Sequence, residues 1–163
     1  MTKSFPGNQQ PEYQLTEALD IDYYEVFSDI PEADRTIWQR TRDFAEAHVD
    51  TMRQGWNDHH YPLEVARAMG QAGLINDGVD HPDLEKFSPL AAGLVNMELS
   101  RVDGSMGTIL AVQGGLALRT ITMFGTEEQQ AKYVKATAHM DIPAAFGLTE
   151  PDHGSDSTGL STT

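Results

Sequence analysis

Apolar residues recur at helical spacing through most of the chain. Ile37, Trp38, Thr41, Phe44, Ala45, His48, Val49 and Met52 fall on one face of a 3.6-residue period, which predicts an amphipathic helix ending near Gly55. Pro31 stands near its first turn, and Glu32 and Asp34 complement the positive end of the helix dipole. A second helix is predicted from Pro62 through Leu63, Val65, Ala66 and Met69 toward Gly73 or Gly78. A third runs from Ser88 and Pro89 through Leu90, Leu94, Val95, Met97 and Leu99 to Arg101. The fourth, about Ser105 to Phe124, is apolar on nearly all sides, the pattern of a buried central helix. Gly125 suits its carboxyl end, and Thr126 with Gln129 has capping-box spacing for a last helix through Tyr133 and Val134 to about Met140.

The pattern changes at Pro143. Residues 144–149 (AAFGLT) read as a short buried strand, and Glu150 to Thr163 as a loop of Pro, Asp, Gly, Ser and Thr. A single strand makes no sheet, so the expectation is that a β domain begins here with its partner strands beyond Thr163. At the other end, residues 1–30 form an acidic arm. Leu15, Leu19, Tyr23, Tyr24, Val26 and Phe27 allow part of it to dock on the body, to wrap a partner subunit, or simply to fray.

Length and charge narrow the function classes. The 163 residues suit one ordinary domain, able to bury roughly 70% of its unfolded surface. Eleven Lys and Arg stand against 25 Asp and Glu, a formal charge of −14 that repels nucleic acid and anionic lipid alike. Mean hydropathy is −0.42, in the globular range. There is no cysteine, which excludes disulfides, thiolate chemistry and iron–sulfur clusters from this chain and suits a reducing compartment. The amino terminus lacks a secretory signal pattern, and the stretch from Ser105 to Leu118 falls short of the ~20 apolar residues of a membrane span. A cytoplasmic location without nucleic-acid or membrane partners follows as the expectation.

Most candidate chemistry fails on spacing. The six histidines form no H-x-x-x-H pair, and Glu150, Asp152 and Asp156 lack the spacing of a calcium loop, so no metal site is expected. His153, Ser155 and Asp156 are too close in one loop for a hydrolytic relay. Gly104, Gly107, Gly114 and Gly115 match no phosphate-binding motif and read as close helix packing. One segment remains, FGLTEPDHGSD from Phe146 to Asp156. Gly154 lets backbone N–H groups approach an anion, and Ser155 adds a hydroxyl, a grip suited to a pyrophosphate oxygen. Thr149 could donate to a second polar centre of the same extended ligand, beside an apolar wall of Phe146 and Leu148. On spacing alone, a glycine turn with solvated hydroxyls accounts for these residues as well, and better.

The segment resembles the flavin-binding signature of the acyl-CoA dehydrogenase family, and its extension TEPDHGSDSTGLSTT is similar to the branch of glutaryl-CoA dehydrogenases and short-chain acyl-CoA oxidases. ELSRVDGS (98–105), FGTEEQQAKY (124–133) and the AGL step at 72–74 fit in the same order. The resemblance implies a mainly α chain: a helical amino-terminal domain over 31–141, and over 142–163 the first strand and flavin-binding loop of the middle β domain. It implies a homotetrameric FAD enzyme that desaturates an acyl-CoA thioester in fatty acid β-oxidation, with an electron-transfer flavoprotein or oxygen as acceptor. Phe146, Gly147, Leu148 and Thr149 would lie along the flavin ring, with Thr149 at its N1/C2 edge. Gly154 and Ser155 would hold the pyrophosphate, with Ser155 also near the acyl-CoA. The family's catalytic base is a Glu expected beyond Thr163, so no catalytic residue is assigned here. Glutaryl-CoA dehydrogenases carry an Arg-Ser pair, facing the distal carboxylate of the substrate, where this chain has Gly107 and Thr108. Without the guanidinium, an uncharged short or medium acyl chain is expected over glutaryl. The rival readings are a glutaryl-CoA dehydrogenase, an acyl-CoA oxidase or flavin monooxygenase and, from another class, a non-catalytic acidic helical interaction module.

Overall fold

The computed structural model describes residues 26–162, so most of the proposed acidic arm, with Leu15, Leu19, Tyr23 and Tyr24, lies outside the described residues, as does Thr163. The chain divides into a unit over 1–31, of which 26–29 form a turn, and a body from Glu32 onward. The body is helical: α1 (Glu32–Asn57), α2 (Leu63–Gln71), α3 (Pro89–Val102), α4 (Gly104–Leu110), a π-helical stretch (Ala111–Leu118), α5 (Arg119–Phe124) and α6 (Glu127–Ala138).

The helix boundaries follow local chemistry. Glu32 and Asp34 occupy the first turn of α1. Ser88 caps α3 by accepting from the Ala91 N–H at 2.9 Å, and donates its own hydroxyl to the Asp34 carboxylate at 2.9 Å, which ties the starts of α1 and α3 together. After α2 the chain turns at Gly73, whose φ of +69° is a left-handed conformation that costs glycine little. Asp103 caps α4 through the Ser105 and Met106 N–H groups. The capping box of α6 is complete: Gln129 N–H donates to Thr126, and Thr126 N–H donates to the Gln129 side chain at 2.8 Å.

Two apolar clusters hold these helices. The larger joins Met52 of α1, Val65 and Met69 of α2, Leu99 of α3, and Met106 and Leu110 of α4. The smaller joins Leu118 of the π-helical stretch to Val134 and Ala138 of α6, with Val79 from the loop between α2 and α3. At Gly70 a Cβ would collide with the His139 carbonyl carbon, so α2 passes against the end of α6 at backbone distance.

Two expectations are corrected. Gly104–Phe124 is one continuous helix of 21 residues, close to the expected Ser105 to Phe124, but against expectation it is long and apolar enough, by length and composition alone, to cross a membrane. It is not buried all round. Met106, Leu110, Gln113 and Leu118 face inward, while Leu116, Met123 and Phe124 are exposed. The predicted buried strand at 144–149 is neither buried nor a strand: no β-strand forms among the described residues, and Phe146 and Leu148 are 40% and 39% exposed. Among the described residues no second segment pairs with it, and an extended segment without a ladder has neither inter-strand hydrogen bonds nor a facing sheet to bury it.

Candidate functional site

The long helix changes character at its centre. Its π-helical turns span Ala111–Leu118, a geometry that is rare and concentrated at functional positions. The loop before α3 docks there: a Cβ on Gly114 would lie 3.0 Å from the Asp77 Cβ, and one on Gly115 would lie 2.6 Å from the Asp77 carboxylate. Small residues at this pair therefore serve the close approach of a loop, not the helix-on-helix packing expected, and a Cβ on Gly104 would meet nothing within 4 Å. Asp77 is itself left-handed (φ 49°), and Arg119 donates to its carbonyl at 2.6 Å. Burial pushes the Asp77 carboxyl up, against the opposing pull of Arg119.

On this helix Gln113 faces inward, 5% exposed, and reaches Ala144 with both halves of its amide. The Ala144 N–H donates to Gln113 Oε1 at 2.8 Å, and Gln113 Nε2 donates to the Ala144 carbonyl. In the sequence Gln113 is the one polar amide within the apolar run from Ile109 to Leu118. A lone amide in such a run needs partners, and that need was the available signal.

Beyond Ala144 the segment is open. Thr149 and Ser155 are exposed, and neither hydroxyl has a partner among the described residues. A Cβ on Gly147 or Gly154 would meet nothing within 4 Å. The loop that follows is closed by Glu150, whose carboxylate accepts from Ser161 N–H at 2.8 Å, from Thr162 N–H at 2.9 Å and from the Thr162 hydroxyl. Those donors, the Ser161 N–H first, hold the Glu150 carboxyl below its ordinary value. Asp156 closes the next turn by accepting from Gly159 N–H at 3.1 Å and from the Thr158 hydroxyl at 3.2 Å. Free hydroxyls, open glycine faces and apolar side chains thus remain available on a loop where Glu150 and Asp156 are engaged in closing its turns. That donor set fits a ligand with a pyrophosphate and a flat ring, such as FAD.

Gly107 and Thr108 sit elsewhere. Gly107 is buried on α4, where a Cβ would collide with the Ser100 hydroxyl of α3. Thr108 is exposed and donates back to the Gly104 carbonyl at 2.9 Å. No hydrogen bond or ion pair among the described residues joins either to the 146–155 segment; the tie runs through Gln113. Two further features went unread in the sequence. Glu98, fully buried, accepts from Trp38 Nε1 at 2.7 Å, Arg42 at 2.8 Å and Arg101 Nε at 2.8 Å, pinning α3 to α1. Burial alone would raise its carboxyl, but these donors hold it below the usual value. Tyr61 lines a small apolar cavity of about 240 Å³ with Met52, Trp56 and Ser105. Its hydroxyl is buried without a partner, and burial, reinforced by Asp103 and Glu64, pushes it up to about 12. Among the described residues no cluster of His, Asp and Glu could hold a metal.

Comparison with known proteins places this architecture. The family described as "Acyl-CoA dehydrogenase, N-terminal domain" matches residues 31–141. An acyl-CoA dehydrogenase of Bacillus subtilis is 34% identical over 128 residues, 75% of this chain and 33% of that protein. The human mitochondrial short-chain specific acyl-CoA dehydrogenase is 32% identical over 139 residues, 83% of this chain and 33% of that protein. A glutaryl-CoA dehydrogenase from Mycobacterium smegmatis, solved with FADH2, superposes with a TM-score of 0.75 at 28% identity, over 84% of this chain and 36% of that one. Butyryl-CoA dehydrogenase from Megasphaera elsdenii shares the fold, with a TM-score of 0.71 at 23% identity, over 82% of this chain and 36% of that one. The chain spans about a third of the length of the relatives it matches.

Proposed function

The chain belongs to the acyl-CoA dehydrogenase family, and from that premise we propose that it supplies one wall of the flavin and acyl-CoA site of an FAD-dependent enzyme that desaturates an uncharged short- or medium-chain acyl-CoA. One observation carries this reading: the 146–155 segment keeps its hydroxyls and glycine faces open while Glu150 and Asp156 are spent on closing the loop. FAD, when bound, supplies the acceptor for the β hydride of the thioester. Thr149 offers a hydroxyl donor to the ring edge where negative charge gathers, Gly154 and Ser155 offer a pyrophosphate grip, and Phe146 and Leu148 supply apolar contact. Glu150 is unsuited to remove the α proton, because its oxygens already accept three hydrogen bonds. The base is expected beyond Thr163. In this reading the parent enzyme is cytoplasmic and homotetrameric, and passes electrons to an electron-transfer flavoprotein or to oxygen.

The absence of a cation at Gly107 and Thr108 supports an uncharged acyl chain. The test is purification of the full-length gene product and anaerobic addition of saturated acyl-CoAs. Bound yellow flavin that bleaches with butyryl-CoA more efficiently than with glutaryl-CoA, by kcat/KM, is the expected result. A colourless protein that binds no added FAD would refute the enzyme reading and favour an acidic interaction module. Preference for glutaryl-CoA would refute the substrate assignment alone.

A further inference from the structure

We propose that Gln113 is the positioning residue for the flavin-side segment, fixing the main chain of Ala144 and through it the placement of Phe146 to Thr149. The inference rests on the functional reading above. Among the described residues, the paired hydrogen bonds of Gln113 to Ala144 are the only ones made by residues 143–149. The next polar ties on either side are Ile142 N–H to the Ala136 carbonyl at 3.1 Å and Glu150 to His153 at 3.1 Å. The two bonds fix the main chain at Ala144, and Phe146 and Leu148 follow it with 40% and 39% of their surface exposed.

The residue type matches the task. A carboxamide carries a donor and an acceptor side by side, and so it can pair with both main-chain groups of one residue, as Gln113 does with Ala144. Phe146 lies two residues on, about 7 Å along an extended chain, close enough for the tie to govern its position. The support is firm as well. Gln113 projects from π-helical turns whose other side is pinned by Asp77 against Gly114 and Gly115 and by Arg119 on the Asp77 carbonyl. A site held by a rigid element keeps its geometry better than one on a free loop.

The experiment uses the full-length protein, with Gln113→Met, which keeps the volume but removes both bonds, and Gln113→Asn, which keeps the amide but is one methylene too short. Two quantities are read: amide hydrogen exchange at Ala144, the one amide of the segment that Gln113 protects, and the dissociation constant for FAD added to apoprotein. Both variants should exchange on the order of tenfold faster at Ala144 and bind FAD on the order of tenfold more weakly, with exchange in α1 to α3 unchanged. Faster exchange at Ala144 without weaker FAD binding would overturn the positioning role, as would unchanged exchange. Should Gln113→Met fail to fold, Gln113→Asn alone decides between these outcomes. A wild-type protein that binds no FAD would overturn the functional reading, and the positioning role with it. A wild type that binds FAD as tightly as its variants do would overturn only the role of Gln113.

Discussion

Glu98 shows how one residue can join two helices. It is fully buried, yet its two oxygens receive an indole N–H and two guanidinium groups, and Arg101 passes the network on to Glu46 at 2.6 Å. Arg42 also lies over the Trp38 ring, 5.0 Å from its centroid. Removing the carboxylate strands Arg42, which is largely buried, so Glu98→Ala should cost about 3–5 kcal/mol. Glu98→Gln keeps an acceptor for Trp38 and should cost less. Thermal melts of both variants check this, and an alanine variant as stable as wild type would show that the network is not a clamp. The motif around Glu98 was visible in the sequence as part of a resemblance. Its burial was not: Arg101 stands three positions away, but Trp38 and Arg42 meet it across 60 and 56 positions of chain, and no local pattern announces that meeting.

At the scale of elements, local chemistry was the reliable guide. Ser88, Thr126 and Gln129 act at helix starts through bonds to residues three positions away, so the sequence contains both partners. Thr126→Ala should therefore destabilise α6 by about 1 kcal/mol, and Thr126→Ser by far less, measurable as a shift in the unfolding midpoint in urea. Equal effects of the two substitutions would show that the hydroxyl is not the stabilising group. The 144–149 segment behaved differently. Its short apolar run predicts a buried strand, and none forms among the described residues, because a strand is a relation between two segments. What holds it here is a helix side chain, Gln113, acting as a one-residue partner. The central helix departs from expectation for a similar reason: its composition predicts burial, while the neighbours that cover it decide which face is hidden.

For the whole molecule, two groups make stability depend on pH at opposite ends of the scale. The Glu98 carboxyl titrates below its unfolded value, so its contribution is present above about pH 4 and disappears as pH falls through the folded value. The Tyr61 hydroxyl is raised to about 12, whereas an unfolded tyrosine titrates near 10. The unfolded state therefore releases its proton first, and stability should fall as pH rises from about 10 to 12. Unfolding free energies measured across pH should show both flanks, and Tyr61→Phe should flatten the alkaline one. An unchanged alkaline flank in that variant would assign it to other groups. The sequence by itself determined the helices, their caps, the −14 charge and the open chemistry of Thr149, Gly154 and Ser155, because each depends on residue type or on neighbours within a few positions. Only the tertiary structure decided that Glu98 is buried among arginines, that Asp77 leans on Gly114 and Gly115, and that Gln113 holds Ala144. Those arrangements join side chains far apart in the chain, and their energy exists only once the helices have packed and excluded water from between them.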